Sequence, residues 1–195
     1  MPKPPLAKRP ATTNSVPSKV HARSLDHAIE ILSAKVRRLD LRYRKIGDRG
    51  AERLSEVLLE NSTLTRLELD FNGLTSGGAA RLAEALTKNS TLTHLYLCNN
   101  IIDDEGAYHL ASVIGRSGLV ELGLAGNRIT ARGAEAILEA LRSSGAVVGV
   151  DLSLQTVPDD LVQDIRAAMV ANHTAKVEAA KEAAKEAQEQ AWQIT

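Results

Sequence analysis

Four side chains in the first half of this sequence have the types and spacing to do chemistry: Asp40, Glu68, Asp70 and His94. Carboxylates beside an imidazole are the parts of a general acid–base pair or of a metal site. Cys98 adds a thiol four residues after His94. A thiol becomes a nucleophile when a neighbouring cation lowers its pKa, and His94 is a weak candidate for that role, so an unreactive surface thiol is expected. None of these residues sits in a motif that assembles a site. The chain contains no GxxxxGK[ST], no HExxH, no CxxC pair and no GxSxG, so the usual phosphate cradle, zinc helix and nucleophile elbow are missing. A simpler reading covers the acids: rungs of a sheet about 5 Å apart set ordinary surface charges side by side. We therefore expect no enzyme, no cofactor and no metal.

The elements that carry these residues are set by an internal repeat. Asn61-Ser-Thr-Leu-Thr-Arg-Leu-Glu-Leu-Asp-Phe-Asn72 returns 28 residues later as Asn89-Ser-Thr-Leu-Thr-His-Leu-Tyr-Leu-Cys-Asn-Asn100. Aligned on Leu-x-Leu, the units place Leu39/Leu41, Leu67/Leu69, Leu95/Leu97, Leu122/Leu124 and Val150/Leu152 at spacings of 28, 28, 27 and 28 residues. Repeats of this length bury their apolar faces by stacking on their neighbours. Asn72, Asn100 and Asn127 follow the central strands, with Arg44 and Gln155 in the outer units. An Asn amide both donates and accepts, so the column is expected to tie backbone groups of adjacent units together. Gly50-Ala51, Gly78-Ala79, Gly106-Ala107 and Gly133-Ala134 then open segments with apolar residues at helical spacing, such as Ala79/Leu82/Leu86.

This pattern resembles the ribonuclease-inhibitor-like class of leucine-rich repeat, LxxLxLxxNxLxxxGAxxLAxxL, from Leu64 to Leu86 and again from Leu92 to Ile114. The resemblance covers about residues 36–157 and implies an α/β fold: a right-handed solenoid with a parallel concave sheet of about five strands, helices on the convex side and a further helix at the C-terminal end. Related families include immune receptors, the GTPase-activating protein for Ran, and tropomodulin, whose repeat domain likewise ends in a helix. None matches beyond the repeat, and no actin-binding segment is visible. Function does not follow from the fold, which hosts many.

Three segments are expected. Residues 1–23 are Pro-rich and basic with no acid and read as a disordered tail; residues 24–174 form the repeat domain with its caps; residues 175–195 form an Ala/Glu/Lys-rich helical extension. In the extension Val177, Ala180, Ala184, Ala187 and Ala191 follow a coiled-coil spacing, though Ala buries little, so a solvated helix competes with a docking helix anchored by Trp192. Three Asn-x-Ser/Thr sites, at Asn61, Asn89 and Asn172, match a glycosylation acceptor, and the repeat explains two of them.

With 44% hydrophobic residues, a net charge of zero and one cysteine, the chain is no generic polyanion binder and has no internal disulfide framework. No apolar run approaches the roughly 20 residues of a membrane span. The expected partner is a protein, with no nucleic acid and no membrane, in the cytoplasm; organelle import and a secreted effector are the alternatives suggested by the leader. The strand residues opposite the leucines define the concave surface. They run Arg38, Arg66, His94, Glu121; then Asp40, Glu68, Tyr96, Gly123; then Arg42, Asp70, Cys98, Ala125; and at the strand exit Tyr43, Phe71, Asn99, Gly126. Three of the five aromatics fall here, and aromatics with Arg anchor interfaces. The expected partner site is Arg38, Asp40, Arg42, Tyr43, Arg66, Glu68, Asp70, Phe71, His94 and Tyr96. The rival reading is an accessory subunit of a large assembly, docked by the terminal helix.

Overall fold

A computed structural model describes residues 19–33 and 35–193. The first apolar residue of each Leu-x-Leu centres a three-residue strand: β2 (Arg38–Asp40), β3 (Arg66–Glu68), β4 (His94–Tyr96), β5 (Glu121–Gly123) and, around Val150, β6 (Gly149–Asp151). A sixth strand, β1 (Val20–His21), precedes them, so the sheet is one strand wider than the repeat count implies and begins inside the segment read as tail. Residues 1–18 lie outside the described part. All strands are parallel and ordered β1 to β6 along the chain.

The strands alternate with α1 (Leu25–Ser33), α2 (Gly47–Glu60), α3 (Ser76–Leu86), α4 (Asp104–Ala111), α5 (Ala131–Ser144) and α6 (Asp159–Gln193). The 27-residue unit contains the shortest of these helices, α4. Period two sends Leu39, Leu67, Leu95 and Leu122 toward the helices, where the next leucines, Leu41, Leu69, Leu97 and Leu124, also turn in; all eight have no exposed surface. The helices answer with Ala51, Leu54 and Leu58, with Ala79, Leu82 and Leu86, and with Ala134, Ile137 and Leu141. Each buried leucine contributes about 1.5–3 kcal/mol of transfer free energy, which makes this stack the main source of stability.

Three polar ladders fix the register that leucines alone leave loose. In the first, the Asn100 carbonyl oxygen accepts from the backbone N–H of Asn72 (2.9 Å) and Leu74 (3.1 Å) in the preceding unit, while its amide donates to Leu69 O (3.1 Å) and Leu97 O (2.9 Å). Asn72, Asn127 and Gln155 repeat the device. A second ladder lies at the helix ends. Asn89 donates to Leu58 O (2.7 Å) and Asn61 O (2.9 Å), and Asn172 to Leu141 O (3.0 Å) and Val147 O (2.9 Å). Asn89 and Asn172 are thus buried fasteners, which accounts for two of the three acceptor motifs. In the third, acids at one helix start cap the next helix: Asp48 accepts from Thr75 N–H (2.8 Å), and Asp104 from Thr130 N–H (2.7 Å) and Gly133 N–H (3.1 Å). Hydrogen bonds from Thr130 and Gly133 outweigh the burial that opposes them and lower the Asp104 pKa.

The core closes on α6. Ile165 and Ala168 are buried and Met169 packs beside them. From His173 to Gln190 every residue is exposed, yet the helix continues unbroken over 35 residues. The extension is therefore a continuation of the capping helix. The side chain of Trp192 lies outside the described residues. No described helix is long and apolar enough to cross a membrane.

Candidate partner-binding surface

The open face of the sheet, turned away from the helices, carries the columns read from the sequence in the same register. Arg38, Arg66, His94, Glu121 and Gly149 are paired in sequence, as are Asp40, Glu68, Tyr96, Gly123 and Asp151. The side chains on this face divide into two groups.

The first is a closed ionic network. Asp40 and Glu68 point outward by parity but are only 4% and 6% exposed. Neighbouring side chains cover them: Arg42 Nη2 lies 2.7 Å and His21 Nδ1 2.9 Å from Asp40 Oδ2, Lys19 Nζ lies 3.5 Å from the same atom, and Glu68 meets Arg66 Nε at 3.0 Å, Arg42 Nε at 3.2 Å and Lys19 Nζ at 3.3 Å. Burial alone would raise the Asp40 pKa, but the Arg42 guanidinium and backbone N–H, with Lys19, hold it well below the usual carboxylate range. Such a carboxylate cannot serve as a base near neutral pH. The reading of Asp40 and Glu68 as ordinary surface charges is corrected here: they are buried counter-ions that hold Arg42 and Arg66 in place.

Asp70 and Cys98 are half-buried. Asp70 Oδ1 accepts from the Cys98 N–H at 2.8 Å, and burial nonetheless raises its pKa. Burial and the adjacent Asp70 charge push the Cys98 thiol up to about 11, so the thiol stays protonated and is half-buried rather than a surface group. Tyr96 is half-buried under Arg66, whose Cζ sits 4.2 Å above the ring centroid. Burial, then a hydrogen bond to Glu121, pushes its phenol up to about 12. His94 lies between Thr93, at 2.8 Å, and Glu121, at 3.5 Å. Among the described residues no group of three or more His, Cys, Asp and Glu is placed to hold a metal ion.

The second group is solvent-facing. Tyr43 is 63% and Phe71 43% exposed, and their rings stack at 4.4 Å with 12° between planes. They occupy equivalent strand exits, a unit apart. Arg38, Arg42, Arg44 and Lys45 surround or approach the pair in sequence and are exposed. The backbone there was not legible in the sequence: Tyr43, Phe71, Asn99 and Leu154 all adopt left-handed φ, near 60, 58, 55 and 59°, as does Gly126 at 66°. The exit turn imposes the conformation on every unit, and only one of the five positions uses the residue that adopts it freely. On the helical side, a groove between α2 and α3 is lined by Glu52, Leu59, Arg81, Glu84 and Lys88.

Residues 33–55, 60–83, 88–111 and 119–138 match the repeat family described as "Leucine Rich repeat". With the parallel sheet and its alternating helices, the protein is a leucine-rich-repeat solenoid of α/β class. Its fold is similar to a solved structure named "Leiomodin-1 Actin-Binding Site 2 (ABS2)", with a TM-score of 0.75 at 16% identity over 84% of this chain and 97% of that one. It is also similar to the tropomodulin C-terminal domain of Caenorhabditis elegans, with a TM-score of 0.67 at 15% identity over 82% and 98%. At these identities the likeness is one of fold. Among the curated proteins none matches the chain.

Proposed function

We propose that this protein is a non-enzymatic interaction module that binds a protein partner through the open, concave face of its sheet, and that its repeats belong to the ribonuclease-inhibitor-like class. The observation that carries this reading is the Tyr43–Phe71 stack. Two large aromatic side chains stand in solvent on left-handed backbone that costs a non-glycine residue of order 1 kcal/mol or more, and they add nothing to the core. Gly126, at the equivalent position two units after Phe71, shows that the turn accepts glycine. A stacked aromatic pair with Arg42 and Arg44 flanking Tyr43 in sequence has the composition of an interface anchor. Arg38, Arg66, His94 and Tyr96 extend the surface, while Asp40, Glu68 and Asp70 orient it from below.

A cytoplasmic setting fits such a module. Because one structural neighbour is by its name an actin-binding site, actin is the first partner to assay, by co-sedimentation and by monomer binding. The surface itself is tested by placing a photo-crosslinking phenylalanine analogue at position 71 and, separately, at Glu84 on the helical side. Adducts with a partner are expected from position 71 and not from position 84. The opposite result puts the partner on the convex groove and removes this reading.

The exposed run from His173 to Gln190 favours one rival, an accessory subunit of a larger assembly docked through α6. Capture of the partner by full-length protein and by residues 19–173 separates the two. Concave binding survives the cut, and helix docking does not.

A further inference from the structure

The repeat units are not electrically alike. Taking the same fifteen-residue frame in each unit, from four residues before the first Leu of the strand to ten after it, residues 35–49 hold seven cations and two acids. The frames 63–77, 91–105 and 118–132 hold one and two, none and three, and two and one. Both acids of the first frame are already engaged: Asp40 by Arg42, Lys19 and His21, and Asp48 by the backbone and hydroxyl of Thr75. Arg44 gives its Nε–H to Ala22 O at 2.8 Å. Among the described residues, Arg37, Arg38, Arg44 and Lys45 have no carboxylate within ion-pair distance. The first unit therefore carries a positive field that the rest of the sheet does not share.

The turn that carries Tyr43 is also more strained than its counterparts. Lys45 adopts a left-handed φ of 53°, where the next unit has Gly73 at 69°. Within three residues this turn thus holds two exposed non-glycine side chains, Tyr43 and Lys45, in the conformation glycine prefers. Strained, exposed side chains that add nothing to the core mark this turn as the place to seek a contact outside the fold.

We infer that the first two units, through Tyr43, Phe71, Arg44 and Lys45, take an acidic peptide segment of a partner protein that carries an aromatic or branched apolar side chain between its carboxylates. This rests on the concave-face reading above. The apolar side chain lies against the Tyr43–Phe71 stack, and the flanking carboxylates pair with Arg44 and Lys45. The field is local rather than extended, which favours a short acidic segment over a nucleic acid: a duplex spreads its phosphates across many contacts, whereas the next two frames carry a surplus of acid.

Peptide display tests this. Random twelve-residue peptides are selected on the full chain, counter-selected on Tyr43→Asn/Phe71→Asn protein, and the enriched peptide is titrated by fluorescence anisotropy. Enriched sequences should place Asp or Glu around a Trp, Phe, Leu or Ile, and Arg44→Gln/Lys45→Gly should weaken binding at least about tenfold, with a matching loss at raised salt. Lys45→Gly introduces the residue the second unit already uses, and circular dichroism of each variant confirms its fold. Neutral or basic peptides that still depend on Phe71 overturn the acidic-peptide inference and leave the concave surface standing. Failure to enrich any peptide overturns the inference, and the crosslink at position 71 judges the surface separately. A 20-base-pair DNA duplex that binds tighter than the peptide, with the same sensitivity to the variants, overturns it in favour of nucleic acid.

Discussion

The two halves of the open sheet face share a backbone and differ in what stands on it. Strands β2 to β4 carry Arg, Asp, Glu, His and Tyr, while β5 and β6 with their exits offer Gly123, Ala125, Gly126 and Gly149 beside Glu121, Asp151 and Leu154. The bareness is steric in origin. A Cβ on Gly123 would come 2.9 Å from Tyr96 Cδ1 and 3.0 Å from Cys98 Sγ, one on Gly126 would come 2.5 Å from Asn99 Oδ1, and one on Gly149 would come 3.1 Å from Glu121 Cγ. Side chains of each unit lean over the next, so the C-terminal half is cleared to let the N-terminal half lie down.

Removing the support of the bare half gives the largest expected effect. Truncation after Val157 deletes Ile165, Ala168, Met169 and Asn172, leaving Leu141 O and Val147 O without their donor and the last core layer uncovered. Repeat proteins lose solubility without such a cap, so aggregation on expression is expected. Truncation after His173 removes a run whose described side chains, residues 174–190, are all exposed, and should leave the melting temperature within about 1 °C. A large loss from the shorter cut, followed by thermal melting, shows that the extension folds back on the domain.

The polar ladder runs through both halves alike. Asn100→Ala deletes four short hydrogen bonds and leaves buried backbone groups unpaired, which should cost about 1–3 kcal/mol in urea denaturation. The neighbour Asn99 is the control, but not as Ala: its φ of 55° makes Ala pay for the conformation as well as the side chain. Asn99→Gly should cost well under 1 kcal/mol. Equal losses at the two positions contradict the register.

The loaded half predicts a pH signature of its own. Asp40 has a folded pKa below its unfolded value of about 3.9, so it contributes stability above about pH 4 that disappears as the pH falls toward the folded value. Asp40→Asn should therefore cost about 1–2 kcal/mol at pH 7, with the difference closing below about pH 4. Asp70 has the opposite sign. Burial raises its pKa, ionisation in the fold is a penalty that appears as the pH rises, and Asp70→Asn, whose oxygen still accepts from the Cys98 N–H, should be neutral or stabilising at pH 7. Two parallel pH–stability curves remove the distinction between these carboxylates.

Sequence periodicity located every repeat strand, the Asn ladder and the cross-sheet columns, because a stack of identical units repeats its register with its residues. What it left unread has a common cause. Asp40 and Glu68 were assigned the correct face, but their burial comes from how the long cations fold over it: Arg42 reaches both acids, Arg66 folds back onto Glu68 in its own strand, and Lys19 comes from ahead of the repeat, and residue parity gives a face without giving a side chain's conformation. Strand β1 has two residues and no Leu-x-Leu; it pairs because β2 leaves an edge open. The positive φ of Tyr43 and Phe71 was concealed because aromatic residues do not advertise a left-handed turn, whereas Gly126 in the equivalent position does.

That concealed turn supplies the smallest expected effect on stability and the sharpest separation of stability from binding. Phe71 pays left-handed strain on the order of 1 kcal/mol and gains back a stacked contact with Tyr43 worth about 0.5–1.5 kcal/mol. Asn is the residue the third unit uses at this position, and it tolerates left-handed φ several-fold better than Phe. In Phe71→Asn the relief of strain and the loss of the stack nearly cancel, so urea stability should change by less than about 0.5 kcal/mol in either direction. A core or register role for Phe71 predicts instead the loss of about 3–5 kcal/mol typical of a large-to-small change in a packed interior. If the ring is held in solvent for a partner, the variant keeps its fold and loses the crosslinked adduct when the probe is moved to position 43. A variant that is both stable and fully competent to bind leaves the strained aromatic pair without a use and moves the search to the convex groove.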